Sequence, residues 1–134
     1  MVEVNNLSEK YGKLDKNFLK KTAEEVLKGE KSGKGGEISI AIVGSSEIRK
    51  LNRKYRKKDK PTDVLSFGKV GEEMPEIIIC PDEVEKNGGN FKKEMAEVVI
   101  HGVLHLLGYD HEKKKEDAEK MFKKQEKYLS KIKI

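Results

Sequence analysis

All three histidines of the chain fall in one stretch, His101-Gly-Val-Leu-His105-Leu-Leu-Gly108-Tyr-Asp-His111. On a helix, four residues advance a side chain by slightly more than one turn, so His101 and His105 stack on one face. Two imidazoles stacked this way can grip one metal ion. Gly108, three residues later, suits a left-handed helix cap. A helix that stops there can turn sharply, and His111 can swing back as a third ligand. Three neutral imidazoles leave a fourth tetrahedral position open, which is the arrangement of a catalytic zinc rather than of a closed structural one.

One departure from the commonest helical zinc motif limits the chemistry. In zinc peptidases the residue after the first histidine is the glutamate that acts as general base. Here it is Gly102, so that position has no carboxylate to activate water, and a peptidase is disfavoured. Asp110 stands beside His111 and either orients a ligand imidazole or bonds the turn after Gly108. Tyr109 either stacks on a base or packs under that turn, and the turn is the better reading for both. Another chemically suggestive run is basic: Arg49, Lys50, Arg53, Lys54 and Arg56, continuing into Lys57, Lys58 and Lys60, with Tyr55 among them. Such a run is ordinarily a solvated face, but its density and its aromatic residue fit contact with a polyanion.

The elements that hold these residues follow from periodicity. Asn90 caps a long helix to Leu107, with Met95, Val98, Val99, Gly102 and Leu106 as its core stripe and the histidines beside that stripe. Ser45 or Ser46 caps the basic helix, which buries Ile48, Leu51 and Tyr55. Asp15 caps an earlier helix to about Lys28, with Phe18, Leu19, Ala23, Val26 and Leu27 inward and Gly29 ending it. From Lys113 onward, Ala118, Met121, Phe122, Gln125, Leu129 and Ile132 trace a final amphipathic helix. Val2 and Val4 suggest a short strand, and Glu37 to Val43 alternates with Ile38, Ile40 and Ile42 on one face. Val64–Phe67 and Glu76–Cys80 are short apolar strands. Lys60-Pro-Thr-Asp63 is turn chemistry, and Asp63 fits a structural cap of that loop. Ser66 is a further polar candidate for the cleft. Lys31 to Gly36 is a glycine-rich connection that does not match a phosphate-binding loop. Pro81 to Gly89 has room for one or two helical turns. Together these read as helices and strands interleaved around one small mixed sheet.

Composition sets outer bounds. The chain has 134 residues, 35% apolar and 40% charged, with a formal net charge of +5. That size gives one domain with a modest core, and the basic excess suits an anionic partner. One cysteine precludes an intrachain disulfide and favours a reducing compartment. Cys80 follows three isoleucines and reads as a buried thiol, although sequence alone leaves open whether it approaches the histidines. No segment reads as a signal peptide or bilayer span, so a soluble cytoplasmic protein is expected.

With these residues in view, the chain closely resembles the YbeY family of metal-dependent endoribonucleases. Its hallmark, H-G-x-L-H-L-x-G-Y-D-H, is matched from His101 to His111 at every specified position. A second block is present as Leu51-Asn52, Tyr55-Arg56 and Lys58-Asp-Lys-Pro-Thr-Asp-Val-Leu-Ser-Phe67. A third, G-D-[IV]-x-I-C in the family, is here Pro75-Glu76-Ile-Ile-Ile-Cys80, so Gly-Asp has become Pro-Glu. The segments Gly71 to Pro75 and Pro81 to Asn90 also look trimmed.

The resemblance implies an α+β fold: a single zincin-like domain over residues 1–134, with a mostly parallel mixed sheet of about four strands and about four to five helices. It implies one zinc ion on His101, His105 and His111, with Arg56 functional beside the metal. Nickel or another divalent ion could fill three imidazoles equally well. It further implies single-stranded RNA as substrate, a role in 16S rRNA 3′-end maturation and ribosome quality control, and contact with the small ribosomal subunit and its proteins, with no membrane partner. Arg56 then offers a planar fork for two phosphate oxygens, with Lys58, Lys60 and Ser66 as further substrate contacts. The competing readings are another metal hydrolase, such as a metallopeptidase, and a ribosome-associated factor whose metal is structural. A fourth protein ligand closing the metal site would favour the structural metal.

Overall fold

The computed structural model describes residues 2–8, 10–11, 14–30, 37–72, 75–110 and 114–134. Among these, the elements run β1 (Val2–Asn6), α1 (Lys16–Gly29), β2 (Ile38–Ile42), α2 (Ser45–Arg56), β3 (Val64–Phe67), β4 (Glu76–Ile79), α3 (Pro81–Glu85), α4 (Phe91–Leu106) and α5 (Lys115–Lys131). The strands form one sheet in the order β1-β2-β4-β3. β1 and β2 pair in parallel, as do β2 and β4, while β3 runs antiparallel to β4 on the edge. This is the expected α+β architecture with a mostly parallel sheet. The expected connection from Lys31 to Gly36 lies outside the described residues, as does the onset of the last helix at Lys113.

Strand alternation sorts the side chains between two apolar layers. Ile38, Ile40 and Ile42 of β2 and Ile77 and Ile79 of β4 face the larger layer, built with α1, α4 and α5. The intervening Ala41 and Ile78, with Val43 and Cys80 just past the two strand ends, face a smaller layer with Ile48 of α2 and Leu65 of β3. β4 is thus covered on both faces, which is why it reads as a continuous apolar run. Pro75 lacks an N–H but still serves the ladder, since its carbonyl accepts from the Ser39 N–H at 3.1 Å. Among the described residues no helix is long and apolar enough to cross a membrane.

The helix caps follow local chemistry. The Asp15 carboxylate accepts the Phe18 N–H at 3.0 Å, and Asn90 Oδ1 accepts that of Lys93 at 3.0 Å, each satisfying a backbone donor that the helix itself leaves open. For α2 the expectation of a serine cap is corrected. Gly44 is the capping residue, with no side-chain bond, and both serines lie inside the helix. Ser45 Oγ instead sits 3.6 Å from the sulfur of buried Cys80.

Gly29 ends α1 as expected, but the reason it is glycine is tertiary. It is the last residue of α1, and a Cβ on it would lie 2.4 Å from Cε1 of Tyr128. It is glycine to admit that ring.

Two aromatic expectations change for geometric reasons. Tyr55 shares a helix face with Ile48 and Asn52, yet it projects past the sheet and stays 56% exposed, edge-on to Phe67 of the edge strand at 5.1 Å. On α5, Phe122 is 59% exposed, and the buried positions are Met121 and Tyr128. The inward stripe of α5 is rotated toward Tyr128 because that ring covers Gly29 while its hydroxyl reaches Glu30.

Candidate active site

α4 carries the histidine pair. It lies between the sheet and helices α1 and α5, so its buried surface exceeds the expected stripe and adds Ala96, Ile100, Val103 and Leu104. Helix and sheet approach closely at Gly102, where a Cβ would lie 3.0 Å from both Cδ1 and Cγ2 of Ile77. The position that carries the base in zinc peptidases therefore faces the sheet, with no room for any side chain unless Ile77 gives way.

The helix ends as its glycine predicts. Leu107 is the cap and Gly108 takes a φ of +99°. The Gly108 N–H donates to the His105 carbonyl and the Tyr109 N–H to the Leu104 carbonyl, both at 3.0 Å, which is the paired closure of a Schellman turn. The neighbouring Leu106 carbonyl accepts the Val70 N–H at 2.8 Å. The chain therefore turns directly below the histidines. His111 follows three residues after Gly108 and lies outside the described residues.

His101 and His105 are half-buried with rings 4.5 Å apart and steeply inclined, and their Nε2 atoms converge to 3.0 Å. Nitrogens sharing a tetrahedral zinc at 2.0–2.1 Å stand about 3.3 Å from one another, so the pair fits two ligands of one ion. The opposite nitrogen of His101, Nδ1, lies 2.9 Å from Gln125 Oε1 on α5. Among the described residues no group of three His, Cys, Asp or Glu side chains gathers as a metal site; what they supply is this imidazole pair. Cys80 is not part of it, since it is fully buried in the smaller apolar layer on the other face of the sheet.

The remaining predicted residues occupy the surroundings. Arg56 is exposed on the last turn of α2, followed by Lys57 in a left-handed conformation with φ +58°. Exposed Lys58 and Lys60 lie in the loop that follows, and buried Asn52 folds this loop back, its Nδ2 donating to the Lys60 carbonyl at 2.8 Å. Arg49 is tied to Asp59 at 2.9 Å, so one member of the basic run forms the ordinary surface pair. α2 and α4 cover opposite faces of the sheet, with the edge strand β3 beside them. Ser66 alternates with Leu65 and Phe67, which face α2, and so lies on the α4 face with Val64. Asp63 has its loop role: its carbonyl accepts the Cys80 N–H at 2.9 Å, and its carboxylate lies within bonding distance of Thr62 and Asn87. Asp110 is half-buried and lines an open cleft of about 360 Å³ with Glu30, Gly108, Tyr109, Asp117 and Lys120.

Sequence reasoning missed the group that braces this turn. The Glu30 carboxylate, its side chain only 9% exposed, accepts from the hydroxyls of Tyr109 and Tyr128 and pairs with Lys124 at 3.1 Å. Burial alone would raise the Glu30 carboxyl, but the three donors outweigh it and hold it below the usual range. The bond to Glu30, together with burial, pushes the Tyr109 hydroxyl up to about 12. One carboxylate thus fastens α1, the turn after α4 and α5 together beside the histidines. The missed signal is an acid at a helix C-terminus, opposed to the helix dipole and therefore in need of donors.

The chain as a whole is similar to known proteins. The family model described as Endoribonuclease YbeY matches residues 3–133. The chain is 42% identical to the Endoribonuclease YbeY of Thermotoga maritima over 119 residues, covering 85% of this chain and 78% of that one. It is 46% identical to that of Aquifex aeolicus over 107 residues, covering 72% and 70%. With that of Carboxydothermus hydrogenoformans it shares 39% over 139 residues, covering 97% and 96%. A solution structure of a Thermotoga maritima protein superposes with a TM-score of 0.67 at 36% identity, covering 98% of this chain and 89% of that one. A match over nearly the whole chain, carried by the same fold, leaves one conclusion: the chain belongs to the endoribonuclease YbeY family.

Proposed function

We propose that this protein is a zinc-dependent endoribonuclease that cuts single-stranded RNA, acting in the cytoplasm on the 3′ end of 16S rRNA and in ribosome quality control, with the small ribosomal subunit and its proteins as partners. The observation that carries this reading is the convergence of His101 and His105 Nε2 at 3.0 Å above a capped turn, in a chain whose relatives bear the name endoribonuclease.

His101, His105 and His111 would hold the metal. Bound there, a zinc ion would supply a Lewis acid and an activated water near neutral pH. The protein's own share is electrostatic and steric. Three neutral imidazoles leave the centre its full positive charge, which favours a phosphodiester. Arg56 grips two phosphate oxygens through its planar fork, and Lys58 and Lys60 draw the strand toward the edge of the sheet. Ser66 contributes a hydroxyl on the histidine face, and Asp110 steadies the turn before His111. Tyr55, exposed and edge-on to Phe67 amid these cations, offers a face on which an unpaired base can stack.

Two features weigh against the alternatives. Gly102 pressed against Ile77 leaves no room for a peptidase base, and Cys80, remote in the other layer, does not close the site as a structural ligand. The test is cleavage of a labelled single-stranded RNA by zinc-loaded protein, beside chelator-treated protein, a His111→Ala variant and a duplex substrate. Cleavage confined to the first sample supports the reading. Equal products in all samples would refute it.

A further inference from the structure

We propose that Gln125 is a positioning residue of the metal centre: its amide oxygen fixes the ring of His101 and the tautomer in which that histidine binds metal. The inference rests on the metal-centre reading above and goes beyond the three histidines.

Gln125 Oε1 lies 2.9 Å from His101 Nδ1. An amide oxygen only accepts, so Nδ1 carries the proton and the lone pair of His101 is left on Nε2. Nε2 is the atom that converges on His105. The tautomer and the direction of the ligand atom are thus both set from α5, outside the helix that bears the histidines. A half-buried polar side chain in the otherwise apolar stripe of α5 needs a partner, and the partner chosen is the ring nitrogen that a metal would not use. Ligand histidines characteristically donate their second N–H to such an acceptor.

The identity of the acceptor adds a further consequence. An amide brings no charge, whereas a carboxylate at this position would add a negative charge one imidazole away from the ion. Gln125 orients the ligand while leaving the centre's charge to attract phosphate.

The experiment compares wild type with Gln125→Met, which keeps length and removes the acceptor, and Gln125→Glu, which restores one. Zinc affinity is measured by competition with a chromophoric chelator, and the His101 tautomer by nitrogen-15 NMR of the imidazoles in metal-free protein. Wild type should show a proton on His101 Nδ1. Gln125→Met should lose that preference and bind zinc roughly 10–100-fold more weakly, and Gln125→Glu should recover both. A purely structural role would lower metal-free stability without moving the tautomer. Wild-type affinity and tautomer in Gln125→Met would overturn the inference while sparing the metal centre. Absence of zinc binding by wild type would overturn both. If Gln125→Met does not fold, Gln125→Glu decides alone, and a tenfold or greater loss of affinity in it counts against the proposal.

Discussion

Gly102 offers a sharp test of how the histidine helix is seated. In an open helix interior, Gly→Ala stabilises by about 1 kcal/mol through backbone entropy and propensity. Here the new Cβ would meet two atoms of Ile77 at 3.0 Å and a third at 3.2 Å, and Ile77 is fully buried at the centre of the sheet. Forcing a methyl into such a contact costs about 1–3 kcal/mol. With about 2 kcal/mol as the central cost, the propensity gain is more than offset and Gly102→Ala loses about 1 kcal/mol net. Ile77→Ala removes all three contacting atoms at its own cost of about 2–5 kcal/mol. In that background the added methyl finds space, and Gly102→Ala should stabilise by about 1 kcal/mol. The coupling between the two sites is then about 2 kcal/mol, within the range for residues in contact. Urea unfolding of the four proteins of the cycle, with chelator present so that metal binding does not shift the equilibrium, measures it directly. A Gly102→Ala protein more stable than wild type, or a coupling near zero, would show that helix and sheet are not in the tight contact described, and that a side chain is tolerated after His101.

Two further perturbations probe the brace beside the site. Glu30 has a folded value below its ordinary 4.5, so its stabilisation is present above that pH and is lost as pH falls through the lowered value. Urea titrations from neutral pH into the acid range should show wild type losing more stability than Glu30→Gln over that interval; parallel curves would count against the carboxylate. Gly29→Ala should destabilise by about 1–3 kcal/mol, because its methyl would displace the buried Tyr128 ring that hydrogen-bonds Glu30. Tyr128→Phe should not relieve that loss, since two of the three clashing atoms belong to the ring, whereas Tyr128→Ala in the same background should make the Gly29 substitution harmless.

Sequence alone determined whatever depends on local periodicity and local backbone chemistry. The i,i+4 spacing put His101 and His105 on one face, Gly108 ended the helix beneath them, and Asp15 and Asn90 capped their helices. These follow from near neighbours in the chain, and the strand alternation of Ile38, Ile40 and Ile42 follows from the pleat alone. Tertiary structure decided what each element packs against. Gly29 and Gly102 could have been helix breakers by type, yet each is small because a ring of α5 or an isoleucine of β4 occupies the space of a side chain. Tyr55 and Phe122 have the periodicity of buried residues, yet Tyr55 stays exposed against the edge strand and Phe122 is left outside because α5 turns Met121 and Tyr128 inward. Gln125 and Glu30 look like misplaced polar residues until α5 meets His101 and the turn after α4 meets α1. Helix period fixes the direction in which a side chain leaves its own element, but only the packing of elements far apart in sequence fixes what that side chain meets, and the polar groups that brace this site are defined by those meetings.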